Sequence, residues 1–65
     1  MTDNAKLILS FMQKHKTEKD NCFYLVDLLQ TGIQTEDIEQ YIDELSSCIK
    51  IDVDTTYAQT VYSVL

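Results

Sequence analysis

Apolar residues recur every three or four positions along the first part of the chain, the spacing of one buried helix face. In residues 4–15 this pattern runs from Ala5 to Met12 and predicts a first helix. Asp3 or Asn4 is predicted to cap its start, because a short polar side chain can accept a hydrogen bond from a free backbone N–H. The polar segment "KTEKDN" follows and predicts a loop.

Residues 22–31, "CFYLVDLLQT", predict a second helix, with Asp20 or Asn21 as its cap. Gly32, the only glycine in the chain, follows directly. A helix that ends in a left-handed turn favours glycine, so Gly32 predicts where the second helix stops. The predicted buried positions are Leu25, Leu28 and Leu29, with Cys22 and Val26 beside them.

A third helix is predicted from Thr35, which is expected to cap it, and Ile33 before it is expected to point into the core. The stretch "TEDIEQYIDEL" keeps one apolar face along its length. Helical spacing places most of its acidic residues on the opposite, outer face. The predicted buried positions are Ile38, Tyr41, Ile42, Leu45 and Cys48.

After the third helix the apolar residues alternate with polar ones, which is typical of a strand with one buried face. Residues 49–54 predict a first strand that buries Ile49, Ile51 and Val53. Residues 57–65 are rich in Tyr, Thr and Val and predict the returning strand of a hairpin. Two choices remain open for its buried face: Ala58, Val64 and Tyr62, or Tyr57, Val61 and Leu65.

Three helices followed by a hairpin resemble the winged-helix family over about the whole chain. The residues that carry the resemblance are Gly32 and Ile33 at the turn, Ile38, Ile42 and Leu45 in the third helix, and Ile49 and Ile51 at the start of the wing. The resemblance implies one domain over residues 1–65, of α+β class and mostly helical, with a C-terminal two-stranded β-hairpin. Members of the family often lay the third helix in the major groove of DNA, and others use the scaffold for protein contacts.

The charge of this chain departs from that of a DNA-binding member. Eleven acidic residues oppose five lysines, no arginine is present, and the formal net charge is -6. Phosphate binding depends on Lys and Arg, so this balance argues against generic nucleic acid and against an anionic membrane surface. The predicted outer face of the third helix includes Glu36, Glu39, Gln40, Asp43 and Glu44. We expect this face either to bind a protein with a basic surface or to be only a solvated helix face.

The chain offers little for catalysis or for a cofactor. His15 lies among lysines and is expected to be a helix-end residue with no carboxylate at local spacing. Cys22 and Cys48 are expected to be reduced core thiols of a cytoplasmic protein, because their spacing does not fit a zinc site. The sequence has neither a calcium-binding loop nor a phosphate-binding motif. We therefore expect no enzyme activity, no metal and no cofactor.

Phe23 and Tyr24 are harder to explain as core residues. Together with Leu25 and Val26 they make the start of the second helix apolar nearly all round. Aromatic residues are enriched in protein interfaces, so Phe23 or Tyr24 is expected to face a partner or a second copy in a homodimer.

These features lead to the expectation of a small, acidic, non-enzymatic winged-helix module that binds protein. Such a module would suit a regulator or inhibitor from a phage or mobile element, for example a nucleic-acid mimic. One alternative is a dimeric DNA-binding transcriptional regulator that uses the lysines of the first helix and the following loop. A further alternative is a structural assembly subunit.

Overall fold

The computed structural model of the protein describes residues 1–56 and 58–65. Three helical segments precede an antiparallel hairpin, which confirms the predicted α+β, mostly helical class. The second segment begins as an α-helix and continues as a 3-10 turn, Leu29–Thr31. The elements are α1 (Asp3–His15), α2 (Leu25–Leu28), α3 (Thr35–Ser47), β1 (Ile51–Asp54) and β2 (Val61–Val64).

Helix α1 begins one residue earlier than predicted, because Thr2 is its cap. The Thr2 hydroxyl accepts a hydrogen bond from the backbone N–H of Ala5 at 3.3 Å. This contact satisfies one of the N–H groups that a helix start leaves free, so the prediction of Asp3 or Asn4 as the cap is wrong. The apolar face is as predicted, with Ala5, Ile8 and Met12 buried.

The second helix is shorter than predicted, because the residues before it belong to the sheet. Phe23 and Tyr62 form an antiparallel bridge in which each backbone N–H donates to the other's carbonyl oxygen at 2.8 Å. Helix α2 therefore begins at Leu25, with Tyr24 at its cap position. Leu25 is 40% exposed, so its predicted burial is wrong, whereas Leu28 is fully buried.

Asp20 and Asn21 do not cap the second helix. Both have left-handed backbone conformations, with φ of 52° and 56°. Asn21 instead uses its side-chain amide to pair with the backbone of Val64, donating to its carbonyl oxygen at 2.9 Å and accepting from its N–H at 2.8 Å. The segment before α2 thus extends the hairpin along β2 by one backbone bridge and one side-chain bridge. The predicted stop at Gly32 is confirmed, with φ of 89°.

Helix α3 has the predicted buried face but differs at both ends. Gln34, not Thr35, occupies the cap position, and Thr35 is the first helical residue. Ile38, Ile42 and Leu45 are buried, as predicted. Cys48 is exposed, because the helix has already ended there and the helical spacing no longer applies.

The hairpin pairs Ile51 with Val64 and Asp54 with Val61. The predicted burial of Ile49 with Ile51 is wrong, because Ile49 precedes β1, has φ of 55° and is 76% exposed. On the returning strand Val64 and Tyr62 pack on the core. Val61 is also buried, so neither predicted set is correct as a whole. Ala58 and Leu65 are exposed, and the prediction for Tyr57 lies outside the described residues.

The core joins the inner faces of α1 and α3 to one face of the hairpin. Phe23 lies fully buried in it, although its neighbour Tyr24 is partly exposed. None of the helices described over residues 1–56 and 58–65 is both long and apolar enough to cross a bilayer. The buried cluster is Ala5, Ile8, Met12, Phe23, Leu28, Ile38, Ile42, Leu45, Ile51 and Val64.

Candidate protein-binding surface

The outer face of α3 is acidic and open to solvent. Glu36, Glu39, Gln40 and Asp43 are all exposed, because helical spacing turns them away from the buried isoleucines of the same helix. No lysine or arginine lies between residues 34 and 49. We call Glu36, Glu39, Gln40 and Asp43 the acidic face.

Glu44 is held by the start of the chain and differs from the other acids. Its carboxylate accepts a hydrogen bond from the backbone N–H of Thr2 at 2.8 Å and another from the Thr2 hydroxyl at 3.2 Å. One turn earlier, Asn4 donates to the hydroxyl of Tyr41 at 3.0 Å. These contacts tie α3 to the first turn of α1, so we assign Glu44 to the support of the surface and not to its exposed part.

The acidic face lies beside the hairpin. The pKa of the Tyr62 hydroxyl is raised, first by burial and then by the negative charges of Glu39 and Asp43. Both carboxylates oppose ionisation of the phenol because that step would add a third negative charge. The Tyr62 hydroxyl is therefore close enough to Glu39 and Asp43 to be affected by their charge, while α3 contacts the hairpin chiefly through β1.

The net negative charge of the protein comes entirely from the second half of the chain. Residues 1–33 hold four acidic residues and four lysines, and their formal charges cancel. Residues 34–65 hold seven acidic residues and one lysine, Lys50, so they account for the whole net charge of -6. The half that contains α3 and the hairpin is therefore strongly acidic, and the half that contains α1 and α2 is neutral.

One of the four lysines of the neutral half is already paired. Lys19 lies 3.2 Å from the carboxylate of Asp27, which is 8% exposed. The pKa of Asp27 is lowered, chiefly by the hydrogen bond from the Tyr24 backbone N–H, then by Lys19, and burial opposes both effects. This pair fixes the loop before α2 onto the helix and removes Lys19 from the cations that would meet a phosphate.

The two aromatic residues predicted at a partner surface differ in their exposure to solvent. Phe23 is completely buried, so its inclusion in that surface is corrected. Tyr24 is 38% exposed and, with Val26 and Val61, lines an open groove of about 720 Å³. This groove lies between the start of α2 and the hairpin, and Cys22, Ala58 and Gln59 complete its lining.

The candidate chemical groups that the sequence offers are His15 and the two cysteines. His15 Nδ1 lies 2.9 Å from a carboxylate oxygen of Glu18, and the expectation that no local carboxylate would approach it is wrong. The ring of Phe11 packs against His15 with centroids 4.7 Å apart. Cys22 and Cys48 are free and exposed, so their prediction as core thiols is wrong. Within residues 1–56 and 58–65, no group of three or more His, Cys, Asp or Glu residues is placed to hold a metal ion.

Comparisons with protein-family models, with curated proteins and with solved structures give no significant match to this chain.

Proposed function

We propose that the protein is a non-enzymatic winged-helix module that binds a protein with a basic surface through the acidic face of α3. The three helices and the C-terminal antiparallel hairpin are compatible with a winged-helix fold. The bridge between Phe23 and Tyr62 adds a short strand position between α1 and α2, which supports the same arrangement. On this scaffold the third helix is the usual binding element, and here that helix is α3.

The proposal rests on the uneven distribution of charge between the two halves of the chain. The whole net charge of -6 belongs to residues 34–65, and three exposed carboxylates project together from α3. Like charges at helical spacing repel by a few tenths of a kcal/mol per pair, so the acidic face slightly opposes folding. A basic partner would relieve this repulsion and would be steered to the surface, whereas a nucleic acid would be repelled.

The proposal is tested by capture of proteins from a cell extract on the immobilised full chain and on two variants that share one net charge with each other. The first variant, Glu39→Gln with Asp43→Asn, removes two charges from the acidic face. The matched control, Gln13→Lys with Thr17→Lys, adds two positive charges at exposed positions of the neutral half. We expect a basic partner to bind the wild type and the control, to be lost from the first variant, and to be released by high salt.

Equal capture of that partner by all three chains would refute a role for the acidic face. Circular dichroism of each variant serves as the folding control. In the same buffers the wild type is expected not to shift random duplex DNA at physiological salt. A salt-sensitive complex with random duplex would contradict the proposal and would point to the other lysines of the neutral half, Lys6, Lys14 and Lys16.

A further inference from the structure

Ile49, the middle one of the three residues that link α3 to β1, has a backbone conformation that its side chain disfavours. Its φ is 55°, in the left-handed region, where a β-branched residue is a rare outlier. The helix ends there in a Schellman motif: Ile49 donates its N–H to the carbonyl of Ser46 at 3.0 Å, and Lys50 donates to Leu45 at 2.9 Å. Glycine is the usual residue at this position of the motif because it has no Cβ to strain.

The Ile49 side chain gains no burial in return. It is 76% exposed, which is the largest value for a large hydrophobic residue in the described part of the chain. The other non-glycine residues there with positive φ are Asp20 and Asn21, whose types tolerate this conformation. Ile49 thus combines strain and apolar exposure, and glycine or asparagine at this position would avoid both.

We propose that Ile49 is an apolar anchor that binds the partner together with the acidic face. Its side chain enters an apolar socket on the partner protein, and lysine or arginine residues surround that socket. This proposal rests on the proposed function and adds the chemistry of the partner. Ser46 and Ser47 are small and exposed, so a partner that reaches α3 can also reach Ile49. From Asp43 to Ser47, the last residue of α3, the axial rise is roughly 6 Å, a distance that a single protein interface spans.

The acidic surroundings of Ile49 favour basic residues around the apolar socket of the partner, because opposite charges attract across an interface. Ile49 lies in the chain between the acidic face and β1, whose Asp52 is exposed. Its neighbour Lys50 is also exposed, but it is the one cation of residues 34–65 against seven acidic residues, so the region as a whole stays strongly acidic. A second copy of this chain would bring two such acidic surfaces together, so we commit to a different protein with a basic rim. An exposed apolar residue beside charged groups is also how binding hot spots are commonly built, with an anchor in a pocket and polar residues around it.

The test uses the full chain labelled with ¹⁵N and a defined probe, a synthetic 18-residue amphipathic helix of leucine and lysine. Ile49→Gly and Ile49→Asn remove the anchor and relieve the left-handed strain. Val26→Ala is the matched control, because Val26 is a similarly exposed apolar residue, at 66%, on α2. Binding is followed by amide chemical shifts and stability by the thermal midpoint.

We expect the probe to shift the amides of the acidic face and of Ile49 in the wild type. Ile49→Gly and Ile49→Asn are expected to weaken binding at least tenfold and to raise the thermal midpoint by about 4 °C. Val26→Ala should bind as the wild type does. Loss of binding together with a gain in stability distinguishes an anchor from a residue that only supports the fold.

Unchanged binding in both Ile49 variants would overturn the anchor, and a lower thermal midpoint in both would show that the side chain supports its own chain instead. Shifts confined to the groove of Tyr24 and Val26 would also overturn it. The variant Glu39→Gln with Asp43→Asn separates the two proposals. If it binds the probe less well while the Ile49 variants bind normally, the acidic face remains supported and the anchor is rejected.

Discussion

Asn21 takes the place of a strand residue beside β2, and its replacement is predicted to weaken the hairpin. Its side-chain amide makes two hydrogen bonds to the backbone of Val64, at 2.9 and 2.8 Å, and it is only partly exposed. Two neutral hydrogen bonds contribute about 1–3 kcal/mol to the free energy of unfolding. Alanine would also have to adopt the left-handed φ of 56°, which costs about 1–2 kcal/mol.

Asn21→Ala is therefore expected to lower the free energy of unfolding by about 2–5 kcal/mol, measured by urea unfolding with circular dichroism. In a domain of this size that loss would reduce the thermal midpoint by roughly 8–40 °C, because each kcal/mol shifts the midpoint by about 4–8 °C. Asn21→Gly separates the two causes, because glycine tolerates the backbone but has no amide. It should lose only the hydrogen-bond part, about 1–3 kcal/mol.

Asn21→Asp gives a finer control, because its carboxylate can still accept from the Val64 N–H but cannot donate to the Val64 carbonyl. We expect it to be less stable than the wild type and more stable than Asn21→Ala. Amide exchange at Val64 should be slow in the wild type and faster in the alanine and glycine variants. If Asn21→Gly is as stable as the wild type and Val64 exchanges equally in both, the amide does not act as a strand mimic.

Three further predictions concern stability. Ile42→Ala should cost about 2–5 kcal/mol in urea unfolding, because Ile42 is 3% exposed in the core; an unmoved midpoint would show that the site collapses without loss. Gly32→Ala should cost only about 1 kcal/mol, since a Cβ there meets no atom within 4 Å and only the φ of 89° is strained; a much larger loss in the same assay would contradict this. Asp27 has a folded pKa below its ordinary value, so its stabilisation is present above the ordinary pKa and is lost as pH falls through the folded pKa. Asp27→Asn should accordingly flatten the fall in thermal midpoint below about pH 4, and an unchanged slope would count against the assigned contacts.

The inner faces of α1 and α3 were predictable because local periodicity and burial agree there. Ile8 and Met12 in α1 and Ile38 and Ile42 in α3 occupy buried positions at helical spacing. The start of α2 was not predictable in this way, because the conformation of Phe23 is set by Tyr62, which lies far away in the chain. Local spacing treats Phe23 as a helical residue, whereas the long-range pairing makes it part of the sheet.

The acidic face illustrates the same division between local and long-range information. Helical spacing alone places Glu39 and Asp43 on the outer side of α3, and both are exposed. It does not distinguish them from Glu44, whose carboxylate is taken by Thr2 from the opposite end of the chain. A charged residue on the outer face of a helix is therefore available to a partner only if no distant segment of the chain already forms hydrogen bonds with it. Only the folded structure shows whether this is so.

Ile49 marks the point where local pattern and chain geometry conflict. The alternation of Ile49, Ile51 and Val53 favours one continuous strand, but the end of α3 requires a left-handed residue before β1 can begin. The chain meets that requirement with isoleucine, whose left-handed strain reduces the stability of the free protein and whose side chain gains no compensating burial there. Selection for stability alone would favour glycine here, so the isoleucine is best explained by a contact that the free chain does not contain.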